Sequence, residues 1–232
     1  PLAYIFNHIC QDQLLKSHTM KKIFSLFAVA ALATTFFAFT SNDPETLAIG
    51  AKAPKADVKM EDISGKKYSL NDLKKDNGLL VVFSCNTCPF VVGNEERKSE
   101  GWDRRYAEIQ KYADENKIGM VLVNSNEAKR KEGDSMADMK KHAKERGFGT
   151  SKYVLDKNSE VANAFFARTT PHVYLFDKDM KLVYKGAIDD NAGNSKEVKE
   201  AYLKNAITEV AQGKKVTNQE TKPVGCSIKR VS

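Results

Sequence analysis

The strongest feature of the hydrophobic pattern is residues 79–83 (LLVVF), an unbroken apolar run that ends in Ser84. A run this short, preceded by Asn77-Gly78, predicts a strand buried on both faces. Residues 118–123 (IGMVLV) predict a second such strand. Between them Trp102, Tyr106, Ile109 and Ala113 fall on one helical stripe, which predicts a helix over about 94–116 packed against a sheet. Strand, helix and strand in this order form a βαβ unit with parallel strands and a right-handed crossover.

Around this unit the pattern predicts a hairpin (58–60 and 67–70, turning at Ser64-Gly65) and a short helical turn at 71–75. A helix follows over 134–146, with Met136, Met139 and Ala143 inward and Gly147 as its stop. Then come a strand at 153–155 and a short helix at 158–167, with Val161, Ala164 and Phe165 inward. An antiparallel hairpin follows from 172–176 and 181–186. Asn194 to Glu197 has capping-box spacing and predicts the start of a final helix reaching about Gln212. Residues 214–232 show no periodicity. The fold class is α/β, a three-layer sandwich on a central mixed sheet.

The N-terminal part reads differently. Residues 1–19 begin with Pro and show no sustained periodicity, so they are set aside as a doubtful upstream segment. From Met20, Lys21 and Lys22 precede an apolar stretch over 23–39, the pattern of a secretory signal. A retained membrane anchor is the alternative, and only then would the membrane be a partner. Residues 41–232 form one domain with an irregular C-terminal tail, expected to be exported to the periplasm or cell envelope.

The formal net charge is +7, and leaving out residues 1–40, which hold three lysines and one aspartate, makes it +5. Basic and acidic residues are interspersed as on a solvated surface, which argues against a nucleic-acid partner. No G-x-G-x-x-G is present, so no dinucleotide cofactor is expected.

Cysteine usage carries the chemistry. Cys10 lies in the doubtful segment, leaving Cys85, Cys88 and Cys226. Cys85 and Cys88 stand as C-x-x-C where the buried strand hands over to the following helix, a place where unpaired N–H groups favour a thiolate on Cys85. A structural zinc site needs four ligands, and the chain offers no second cysteine pair. A redox pair is expected: Cys85 attacks a disulfide and Cys88 resolves the mixed disulfide. No metal is expected at this site.

The order of elements and several motifs resemble the thioredoxin superfamily, and more narrowly its exported thioredoxin-like and peroxiredoxin-like (AhpC/TSA, TlpA-related) proteins. The motifs are F-x-C-N-x-C-P at Phe83 to Pro89, P-x-x-Y-L-F-D at Pro171 to Asp177, Y-x-G-x-I-D-D-N at Tyr184 to Asn191, and G-C-S-I-K at Gly225 to Lys229. The resemblance implies a thioredoxin-like sandwich and an exported thiol–disulfide oxidoreductase. Its partners would be protein disulfides and dithiols, with a redox protein as electron donor or acceptor. It also implies a cis bond at Thr170-Pro171, with both residues shaping the substrate groove.

The chain departs from the family at Ser84, where thioredoxins carry Trp. The buried acid normally under the dithiol is absent from 79–83. The peroxidase pattern P-x-x-x-[TS]-x-x-C fits neither Cys85 nor Cys88, so the peroxiredoxin resemblance describes the fold; a thiol peroxidase with an antioxidant role, using Cys85 or Cys226, is the alternative reading. A copper chaperone using Cys85, Cys88 and His172 is another; in the competing reading His172 points off the opposite face of its strand. Cys226 is either a third redox cysteine or a thiol packed in the tail. His142 is expected to be solvated, and Asp189-Asp190 to form a solvated turn.

Overall fold

A computed structural model describes residues 46–231 apart from Gly149. The expectations for 1–19 and 20–40 lie outside the described residues. Among the described residues no helix is long and apolar enough to cross a membrane.

The strands are β1 (Met60–Asp62), β2 (Lys67–Tyr68), β3 (Gly78–Ser84), β4 (Ile118–Asn124), β5 (Lys152–Leu155), β6 (Thr169–Thr170), β7 (His172–Phe176), β8 (Leu182–Gly186) and β9 (Cys226–Ser227). The helices are α1 (Leu70–Leu73), α2 (Pro89–Val92), α3 (Tyr106–Glu115), α4 (Met136–Arg146), α5 (Glu160–Ala164) and α6 (Tyr202–Ala211). The main sheet has seven strands in the order β2-β1-β5-β4-β3-β7-β8. β3 and β4 are parallel through their whole length, from Gly78 opposite Ile118 to Ser84 opposite Asn124. β7 runs antiparallel to β3 and pairs with β8 as a hairpin. This is the mixed-sheet, thioredoxin-like α/β sandwich.

β3 sits at the centre of the molecule because both of its faces are apolar. Leu80 and Val82 pack with Trp102, Tyr106 and Ile109, the inner faces of α4 and α6, and Tyr153. Leu79, Val81 and Phe83 pack on the other side with Leu70, Val161, Ala162 and Phe165. Each such side chain taken fully out of water stabilises the fold by about 1.5–3 kcal/mol. Phe83, Phe165 and Tyr174 meet edge to face, with ring centroids 5.2–5.6 Å apart.

Several elements differ from the sequence reading. The helix over 94–116 is two pieces: α2 stops at Gly93 (φ +84°), and α3 begins only at Tyr106. A Cβ on Gly93 would lie 2.5 Å from the Ser99 carbonyl, so a glycine is required where the chain turns back. The Asn194 side chain does accept a hydrogen bond from the Lys196 amide, but it opens only a 3-10 turn. Val198 then turns extended, and α6 starts at Tyr202. In α5 and α4 the inward positions include Ala162, while Ala164 and Met136 are half-buried. Finally, the tail forms β9, which pairs with β6.

Candidate active site

The dithiol follows directly from the end of β3. Ser84 shares a hydrogen bond with the Tyr106 hydroxyl (2.9 Å), tying the strand end to α3. Cys85 comes next, and Cys88 is the N-cap of α2 with Pro89 at the first helical position, where a missing N–H costs nothing. Thr170 and Pro171 face the pair, and the Thr170-Pro171 bond is cis. Cys85 Sγ lies 3.1 Å from Thr170 Oγ1, and Cys88 Sγ lies 3.1 Å from the Thr170 carbonyl, to which it donates when protonated. Both cysteines are reduced and buried.

Electrostatics divide the two sulfurs. The expected source of a low Cys85 pKa, a long helix behind it, is absent because α2 has a single turn. Cys88 is instead the acidic thiol, pulled down to about 5. The hydrogen bond from the Cys85 thiol is the main cause, and the Cys226 thiol and amide and the Val91 amide add to it. Cys85 is raised, first because its thiol serves Cys88, then by burial and by the Asp134 charge. The expectation of a lowered Cys85 is therefore corrected: the pair holds one proton on Cys85 and one charge on Cys88.

A pH dependence follows from this division. An acid with a depressed folded pKa stabilises the fold fully above its unfolded pKa, here near 9, and loses that contribution as pH falls through about 5. The reduced chain is expected to show thiolate ultraviolet absorbance at neutral pH, with the signal absent in Cys88→Ser. A single thiol titration near 9 in the wild type would contradict it.

Asp134 fixes the loop between the cysteines, and sequence reasoning took it only as the start of a helix. Its carboxylate accepts from the Asn86 amide (2.8 Å), the Thr87 hydroxyl (2.9 Å), Asn124 Nδ2 (2.7 Å) and Asn126 Nδ2 (3.0 Å). Tyr153 donates to Asn86 Oδ1 at 2.9 Å. The buried acid absent from β3 thus enters from the segment just before α4.

Cys226 joins the site: its amide donates to Cys88 Sγ at 3.3 Å. His172 does not. It lies on the face of β7 with Tyr174, whose hydroxyl is 3.3 Å from His172 Nδ1, while Cys85 and Cys88 belong to the opposite core. The copper set of Cys85, Cys88 and His172 is therefore not assembled, because successive strand residues alternate faces.

Burial, with the Lys185 and Arg168 charges adding, lowers the His172 pKa to about 3. A base kept neutral in the fold but free to protonate when unfolded loses stability as pH falls from about 6.5 toward 3. Urea melts between pH 7 and pH 5 are expected to show a decline that His172→Phe flattens; an unchanged slope would refute it.

Two solvated expectations are corrected. His142 is half-buried against Phe148, with Nε2 3.0 Å from Asp103. Asp189 is buried, accepting from Trp102 Nε1 at 2.8 Å and pairing with Arg105, while Asp190 stays exposed.

A model of the AhpC/TSA family matches residues 49–185. The chain is 26% identical over 165 residues to the thiol-disulfide oxidoreductase ResA of Geobacillus thermodenitrificans, covering 70% of this chain and 83% of that protein. A solved structure of an uncharacterized conserved protein from Geobacillus kaustophilus superposes with a TM-score of 0.70 at 30% identity, covering 81% of this chain and 94% of that one. A hypothetical protein from Sinorhizobium meliloti 1021 gives the same TM-score and identity over 81% of this chain and 97% of its own.

Proposed function

The chain belongs to the AhpC/TSA family, and from that premise we propose that it is an exported thiol–disulfide oxidoreductase working through Cys85 and Cys88. The observation that carries the reading is the pair itself: two free cysteines at the end of β3, both within hydrogen-bond reach of Thr170 beside the cis-Pro171. The similarity to a protein named thiol-disulfide oxidoreductase supports it.

The charge on Cys88 supplies a base for the first step. As Cys85 attacks a substrate protein disulfide, its proton passes to Cys88, one substrate sulfur bonds to Cys85, and the other leaves as a thiolate. Cys88 then gives its proton to that leaving thiolate and attacks Cys85 Sγ. The Cys85–Cys88 disulfide forms, the second substrate sulfur leaves, and the substrate has gained two electrons. A partner dithiol returns the pair to its reduced state. Thr170 and Pro171 shape the groove where the substrate chain lies, and no bound cofactor takes part in these steps. Export through residues 20–40, as a cleaved signal, would place this exchange in the periplasm or envelope, where disulfides persist.

The experiment is the reduction potential of the Cys85–Cys88 pair in glutathione buffers, together with insulin reduction in dithiothreitol. A potential near about −270 mV identifies a reductant of envelope thiols, and one near about −120 mV an oxidant that runs the same steps in reverse. A pair that closes no disulfide in any buffer would refute the proposal. Rapid peroxide consumption with a trapped sulfenic acid would favour the peroxidase alternative.

A further inference from the structure

The tail reaches the dithiol by strand pairing. β9 runs antiparallel to β6, with Cys226 opposite Thr170 and Ser227 opposite Thr169. Thr170 precedes the cis-proline, so the chain's own tail, and not a substrate segment, pairs with the Thr169–Thr170 backbone edge, and the groove keeps only the Thr170 and Pro171 side chains beside the pair. Gly225 makes the approach possible, since a Cβ there would lie 2.2 Å from the Thr170 carbonyl.

The tail is held on both sides of Cys226. Upstream, the Thr221 amide donates to the Lys185 carbonyl (3.0 Å). Downstream, the Ile228 amide donates to the Arg168 carbonyl (2.8 Å) and the Lys229 amide to Asn126 Oδ1 (2.9 Å), and the Ile228 side chain is buried. Cys226 is thus a fixed part of the site and not a lid resting on it. Its amide donates to Cys88 Sγ at 3.3 Å, and burial, with the neighbouring Cys88 adding, raises its own thiol to about 11. Of the three cysteines in the described residues, Cys226 is the one that is not buried.

We propose that Cys226 is a third exchanging cysteine, which moves the disulfide from the buried pair to Cys88–Cys226. This rests on the thiol–disulfide reading above. After a substrate disulfide has oxidised the pair, the Cys226 thiol gives up its proton as its sulfur attacks Cys88 Sγ. The Cys88–Cys226 bond forms, the Cys85–Cys88 bond breaks, and its electron pair goes to Cys85, which takes up the proton that Cys226 released. The exchange is redox-neutral. It leaves Cys85 reduced beside the groove and exposes the oxidised bond at the chain's outer sulfur, where a partner dithiol attacks it.

The test oxidises the full chain with oxidised glutathione, quenches in acid, alkylates with N-ethylmaleimide and maps the peptides without reduction. A Cys88–Cys226 linked peptide with Cys85 alkylated is expected beside the Cys85–Cys88 product. Gly225→Val keeps the thiol but drives the tail off Thr170, and is expected to lower the Cys88–Cys226 product about tenfold or more while Cys85–Cys88 still forms, because the effective concentration of Cys226 falls. Complete alkylation of Cys226 in the oxidised wild type overturns the proposal. So does equal linkage in Gly225→Val, which would mean the bond forms without the strand pairing. A chain that closes neither bond overturns the thiol–disulfide reading itself, and the missing Cys85–Cys88 product distinguishes that failure.

Discussion

Cys88→Ser, in a chain that also carries Cys226→Ser to remove the other neighbouring sulfur, is expected to leave Cys85 locked in a mixed disulfide with its substrate. Two contributions vanish together. The serine hydroxyl cannot attack Cys85 Sγ, so the intermediate is not resolved. It also bears no charge near neutrality, so the base for the first step is gone. General-base assistance alone contributes about 10²–10⁴-fold, and insulin reduction is expected to fall by at least that factor. Mass mapping should find the substrate adduct on Cys85. Cys85→Ser should be equally inactive and yield no adduct at Cys88 under the same conditions. An adduct carried by Cys88 in that variant would assign the first attack to Cys88, where the charge of the resting pair sits.

The parts of this site that could be read in the sequence are those fixed by short-range pattern. β3 is an unbroken apolar run because both of its faces are covered, and the C-x-x-C pair must follow where that run ends. Tyr106, Ile109 and Ala113 are buried as expected because helical spacing fixes their face, and Trp102, which lies outside the helix, is buried through its bond to Asp189. What was misread depended on contacts between distant segments. Gly93 and Gly101 bracket a polar loop, and the two positive-φ glycines were the available sign that the helix would break there. Nothing local to Asp134 says that a loop 47 residues earlier supplies two of its donors. The tail was read as patternless because a two-residue strand has no period to detect. Its G-C-S-I-K motif marked it as noteworthy, but only the pairing with Thr169–Thr170 brings Cys226 to Cys88.

Asp134→Ala is expected to cost about 1–3 kcal/mol of stability, the range for leaving buried hydrogen-bonding groups unsatisfied. The carboxylate is the common acceptor for four donors, from Asn86, Thr87, Asn124 and Asn126. Alanine leaves the buried Asn124 and Asn126 amides without it, each costing about 1–3 kcal/mol before relaxation, while half-buried Asn86 and exposed Thr87 can turn to water. Asp134→Asn should cost less, because one oxygen still accepts while the amide nitrogen confronts donors on the other side. Denaturant melts of the three proteins measure the order directly, and a loss below about 0.5 kcal/mol for alanine would refute the role. The effect should also extend to the chemistry. Asn86 and Thr87 are the residues between the cysteines, so freeing them loosens the Cys85–Cys88 geometry. The Asp134 charge is also one cause of the raised Cys85 pKa. In Asp134→Ala the Cys85 pKa should therefore fall as the fold weakens. A purely structural carboxylate would lower the melting temperature and leave the thiol titration where it was.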